Sequence, residues 1–117
     1  MKVEQNVTAC GDLILKLYGE FDAEGSAEIR PELEAVTAQN ASKHVCLDLQ
    51  EVVFIDSSGV GAIVFLYKRL RENGRQLSIT GAHGQPRELL ELLRIHKAIP
   101  VTHGGAGGVA EAESCVA

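Results

Sequence analysis

Asp56-Ser57-Ser58-Gly59, with Gly61 just beyond, concentrates the residue types that could do chemistry. The segment follows the apolar run Val52-Val53-Phe54-Ile55 and precedes apolar residues that recur at helical spacing, Val60, Ile63, Val64 and Tyr67. A helix N-terminus presents unpaired backbone N–H groups and a partial positive charge. A phosphate added to Ser57 would therefore be expected to meet favourable amides. It would bring about −1.5 to −2 charges, next to the carboxylate of Asp56. Two glycines in an early helical turn cost roughly 1 kcal/mol each relative to alanine, and they leave room for another protein's backbone. Taken alone, the tetrapeptide also reads as an ordinary helix start, because Asp and Ser are common N-caps.

Other reactive types are poorly arranged for catalysis. His44, His83, His96 and His103 show no metal-ligand spacing. The sequence places no histidine near Ser57, and the Gly-x-Ser-x-Gly elbow of α/β-hydrolases is missing. Cys10, Cys46 and Cys115 are odd in number, widely spaced and without a Cys-x-x-Cys pair, which reads as reduced thiols. Gly104 to Gly108 lacks the Lys-Ser/Thr of a phosphate-binding loop and reads as a linker to a tail. Neither a catalytic residue nor a cofactor or metal of the protein's own is expected.

Composition narrows the classes further. A net charge of −5, with no basic cluster beyond Lys68, Arg69 and Arg71, argues against a nucleic-acid partner. No window approaches a membrane-spanning apolar run, and the first residues lack a signal peptide's pattern. The expected location is the cytoplasm, with no membrane partner.

These residues must be positioned by a layered α/β fold. Val3 to Thr8 and Leu13 to Tyr18, with a turn at Gly11-Asp12, read as a hairpin. Ser26 reads as the cap of a helix carrying Ile29, Leu33 and Val36 on one face, ending over Ala38 to Ser42. Pro31 fits only its first turn or a kink. Val45-Cys46-Leu47-Asp48-Leu49 reads as a central strand buried on both faces. Helix from Ser58 to Asn73-Gly74, strand over Gln76 to Gly81, helix over Pro86 to Ile95 with Leu89, Leu90, Leu92 and Leu93 inward, and an edge strand at Ile99-Pro100-Val101 complete the order. The expected fold class is α/β, a mixed sheet of about four to five strands with helices packed on it. One domain spans residues 1–117, its core about 3–101 and its last residues an uncertain tail.

Phe54 to Val64, read Phe-Ile-Asp-Ser-Ser-Gly-Val-Gly-Ala-Ile-Val, closely resembles the signature of the STAS family, the bacterial anti-sigma factor antagonists. Gly19-Glu20-Phe21-Asp22 resembles the family's segment after its second strand, and Val45 to Leu49 its central strand. The likeness covers roughly Val3 to Val101 and loosens at Leu93 to Ile99. It implies an antagonist that binds an anti-sigma factor, a serine kinase of the GHKL type, when unphosphorylated. The sigma factor is then freed to drive transcription. The kinase, with its own ATP and magnesium, would phosphorylate the serine after the motif aspartate, here Ser57, and a PP2C-type phosphatase would reset it. Ser58 is the runner-up acceptor. The partner-binding surface expected around Ser57 is Asp22, Asp56, Ser58, Gly59 and Gly61, with Asp22 reading equally as a loop cap before the first helix. The competing readings are a STAS module in another assembly (a stressosome-type scaffold, a lipid-transport complex or a transporter-regulatory domain) and a small enzyme using Ser57 as nucleophile. The intact serine favours the switch over the scaffold, and the missing base disfavours the enzyme.

Overall fold

Alternation of apolar and polar residues builds a five-stranded mixed sheet in the order β1-β2-β3-β4-β5. The computed structural model describes residues 1–38 and 42–103. The glycine run, the tail with Cys115 and residues 39–41, part of the expected close of the first helix, lie outside these residues. Strands β1 (Lys2–Val7) and β2 (Leu13–Phe21) form the expected antiparallel hairpin. Gly11, at φ 88°, makes the left-handed turn residue between them. Helix α1 (Ala23–Ala38), β3 (His44–Ile55), α2 (Ser57–Glu72), β4 (Gln76–Ala82), α3 (Gly84–Leu92), a 3-10 turn at Ile95–Lys97 and β5 (Val101–His103) follow. From β2 to β5 all pairings are parallel, each reached through a helical connection.

The core is one apolar layer between sheet and helices. Leu13, Leu15 and Leu17 of β2, Val45, Leu47 and Leu49 of β3, and Leu77 and Ile79 of β4 are buried. They cluster with Ile29, Leu33 and Val36 of α1 and Ile63, Leu66 and Leu70 of α2. Strand β3 is central but buried on one face only; Cys46 and Asp48 point to the other and are half-buried. In the same way Leu90 of α3 is buried, whereas Leu92 and Leu93 are exposed. Leu92 lies about 200° around α3 from the buried Leu90, at 100° per residue, and Leu93 falls past the last helical residue.

Several elements depart from the sequence reading, among them α3, which spans Gly84–Leu92 rather than Pro86 to Ile95, and β5, which spans Val101–His103 rather than Ile99 to Val101. Helix α1 begins at Ala23, three residues before Ser26, because Asp22 supplies the cap: its Oδ1 accepts from Gly25 N–H at 2.8 Å. Pro31 lies within α1, which continues through it. The segments read separately as Val45 to Leu49 and Val52 to Ile55 form one strand. Two register shifts against β2 give β3 two extra residues, so its buried positions pass from every second residue to every third, Leu49, Val52 and Ile55.

Arg75 joins the amino ends of β3 and β4 to α1. It is buried, and its guanidinium donates to the carbonyls of Ser42 and of Val36 in α1. Burial holds its pKa below the ordinary arginine value.

Candidate functional site

Two parallel strands, β2 and β3, end side by side with Phe21 opposite Ile55. Each is followed at once by an aspartate that caps a helix. Asp22 caps α1, and Asp56 caps α2 through Oδ1, which accepts from Ser58 N–H at 2.9 Å and Gly59 N–H at 3.1 Å. The backbone N–H of Asp56 donates to the carbonyl of Phe21 at 3.3 Å, linking the two junctions. The sequence carries the same spacing twice, Asp22-x-x-Gly25 and Asp56-x-x-Gly59. At both glycines a Cβ would collide with a β2 carbonyl, that of Glu20 for Gly25 and that of Phe21 for Gly59. The repeated Asp-x-x-Gly spacing is a signal that could have placed the start of α1 from sequence.

Ser57 is the first residue of α2 and is exposed, as is Ser58. Capping is done by Asp56, so neither hydroxyl is needed for it. The amides of Ser58 and Gly59 are already taken by the Asp56 carboxylate. Two of the first amides of α2 are therefore not open to a phosphate on Ser57, which narrows the expected amide cradle. One strand over, Glu20, Asp22, Glu24 and Glu28 line an open depression with Tyr18, Lys2 and the N-terminal ammonium, which pairs with Glu28.

The two motif glycines have different surroundings. Gly59 is buried, and a Cβ there would stand 2.7 Å from Ile55 Cγ1 and closer still to the Phe21 carbonyl. Gly61 is exposed, with nothing within 4 Å of where a Cβ would be. Asp22, Asp56, Ser57, Ser58 and Gly59 thus gather at the carboxyl ends of β2 and β3, and Gly61 lies one turn further along α2.

A further positioning residue has no local signature. Strand β3 pairs with β4 only from His44 to Asp48; the ladder stops at Gly81, φ 76°, which packs against Asp48 and Gln50. The bared edge of β3 is then served by side chains. Gln85 of α3 accepts from Ile55 N–H at 2.9 Å and donates to Ile55 O at 2.8 Å, acting as a one-residue strand next to Asp56. His83 is 2.8 Å from the carbonyl of Gln50, and Asp48 accepts from Gln50 N–H at 2.9 Å.

His44 does meet a serine and an aspartate, but not at this site. Its Nε2 is 2.9 Å from Ser78 Oγ and its Nδ1 is 3.5 Å from Asp12. That trio ties β2, β3 and β4 together at the amino end of β3, the end opposite Ser57. Among the described residues no group of three His, Cys, Asp or Glu side chains could hold a metal ion, and no helix is long and apolar enough to cross a membrane.

This sheet order, with paired strand-to-helix aspartates and a serine at the tip, is that of a STAS domain, and the STAS family model matches residues 1–104. The chain belongs to that family. It is 27% identical over 103 residues to the anti-sigma F factor antagonist of Paenibacillus polymyxa, covering 88% of each chain. The fold is similar to that of a putative anti-sigma factor antagonist from Thermotoga maritima, with TM-score 0.80, 16% identity and coverage of 93% of this chain and 92% of that one. It is also similar to the Bacillus cell fate determinant SpoIIAA solved in its phosphorylated form, with TM-score 0.70, 15% identity and coverage of 95% and 99%.

Proposed function

We propose that the protein is an anti-sigma factor antagonist whose docking on an anti-sigma factor is abolished by phosphorylation of Ser57. The observation that carries this reading is the exposed Ser57 at the first position of α2, held on a capped, rigid tip but free of the capping role. The relatives' names and the phosphorylated SpoIIAA structure support it. In this reading the anti-sigma factor is a GHKL-type serine kinase that brings its own ATP and magnesium. A PP2C-type phosphatase removes the phosphate, and the exchange takes place in the cytoplasm. Asp22, Asp56, Ser58, Gly59 and Gly61 form the contact surface around the serine.

The switch works by charge and bulk. A phosphate adds about −1.5 to −2 charges beside Asp56, at a junction joined to that of Asp22 through the Phe21 carbonyl. The helix start is already closed by its cap, so no rearrangement of α2 is required. The chain itself binds and is modified; the kinase does the phosphoryl transfer.

Intact-mass analysis after incubation with a candidate anti-sigma factor kinase, ATP and magnesium tests the reading. One added phosphate is expected on the wild type and none on Ser57→Ala. A phosphate retained by Ser57→Ala moves the acceptor, first to Ser58. No phosphate and no complex with any such kinase rejects the switch.

A further inference from the structure

The solvent face of α2 continues well past the serine. At 100° per residue, Ser58, Gly61, Phe65, Lys68 and Arg69 share the side opposite the buried Val60, Ile63, Leu66 and Leu70. About 12 Å along the axis from Ser57, at a rise of 1.5 Å per residue, Phe65 is clamped by two guanidinium groups. Arg30 reaches over from α1, 5.0 Å from the ring centroid, and Arg69 stands at 5.3 Å. With Lys68 they gather three cations on a chain whose net charge is −5. Among the described residues Glu34 pairs with Arg30, at 3.5 Å.

Nothing in the fold demands Gly61. It sits inside a helix, where glycine is about 1 kcal/mol worse than alanine, and the space around it is open. Gly59, by contrast, is required by the Phe21 carbonyl. A glycine the fold does not need, on an exposed stripe, leaves room for another backbone to approach. Arginine and aromatic side chains dominate binding hot spots. A stacked guanidinium also loses less freedom on binding than a waving one.

We infer that this strip, from Ser57 over Gly61 to the Arg30–Phe65–Arg69 stack, is the docking surface for the anti-sigma factor, which meets Gly61 with closely packed backbone and the stack with a cluster of carboxylates. The inference rests on the proposed function and names the partner's chemistry. It also gives the switch its sign: a partner surface acidic enough to grip Arg30 and Arg69 is one that a phosphate on Ser57 repels. Electrostatic matching of this kind governs association and its salt dependence.

The test is calorimetric titration of the full chain with an anti-sigma factor kinase it binds, at low and high salt. The double variant Arg30→Gln/Arg69→Gln is expected to bind roughly ten-fold more weakly at low salt, with a flatter salt dependence. Glu34→Gln, which removes the carboxylate competing for Arg30, is expected to tighten binding. Gly61→Leu should weaken it, and Arg87→Gln on α3 should leave it unchanged. Thermal melts check that each variant is folded. Affinities of the double variant and of Glu34→Gln within about two-fold of wild type, at the wild-type salt slope, overturn the strip while leaving the switch standing. A wild-type chain that neither binds nor is phosphorylated by any such kinase overturns both.

Discussion

Two glycines separated by a single residue separate packing from recognition. Gly59 lets α2 lie against the Phe21 carbonyl, so a methyl group there forces the helix start to move. Gly59→Ala should cost about 1–3 kcal/mol, the range for overpacking, and should lower the rate of Ser57 phosphorylation by shifting the tip. Gly61→Ala should instead stabilise the chain by about 1 kcal/mol, because no atom stands in the way. Urea midpoints of the two variants check the opposite signs; a destabilised Gly61→Ala would refute the account of that position. Asp56 acts on the same helix through its cap, and Asp56→Ala should cost about 1 kcal/mol by releasing the Ser58 and Gly59 amides.

Among the elements, the carboxyl half of β3 is the unusual one, because it has a strand neighbour on only one side. Gln85 occupies the other side at the residue before the site, giving Ile55 both a donor and an acceptor. Gln85→Glu keeps the acceptor for Ile55 N–H but turns the donor facing Ile55 O into a second oxygen. The expected loss is about 1–3 kcal/mol at neutral pH. Part of it should return in acid, where the protonated carboxyl donates again. Denaturation of wild type and variant at neutral and acidic pH decides this; equal stability at both would show that Ile55 does not depend on Gln85. The bulges of β3 have a similar origin, since they let a strand of 12 residues run beside one of nine and still end level with it at Phe21 and Ile55.

For the molecule as a whole, charge is unevenly spread: Asp22, Glu24 and Asp56 stand at the carboxyl ends of β2 and β3, whereas Lys68, Arg69 and Arg71 lie in the second half of α2. Alkaline titration offers a global check through β1. The Tyr18 hydroxyl donates to Glu4 across the hairpin, and that hydrogen bond, with burial and the Glu4 charge, pushes Tyr18 up to about 12. The pKa is raised above its unfolded value near 10, so the contribution to stability is complete below pH 10 and fades as pH climbs towards 12. Tyrosinate absorbance in a Tyr67→Phe background should report the high midpoint, and Glu4→Gln should bring it back towards 10. A midpoint unmoved by Glu4→Gln would remove Glu4 as the cause.

The alternation in β4, the apolar runs of β2 and β3, the helical stripes of α1 and α2, and the Asn73-Gly74 stop were all legible because each reflects burial of one local element, although the run in β3 did not show that only one of its faces is buried. The same locality placed Ser57 at a strand-to-helix junction before any coordinates were known. Where the sequence reading failed, the reason was in part local: Asp22, read equally as a loop cap, caps α1 in place of Ser26, and Leu92 lies about 200° around α3 from the buried Leu90. Elsewhere a neighbouring strand had intervened, as where β3 absorbs two bulges against β2. The partnership of Gln85 with Ile55, 30 residues apart, follows no periodicity. Nor does the meeting of Arg30 and Arg69 over Phe65, or the different needs for Gly59 and Gly61. Sequence alone determined which residues seek the core and where a reactive serine stands. The tertiary structure decided what surrounds that serine, because hydrogen bonds and close contacts between elements depend on how the layers pack, and no local pattern encodes that distance.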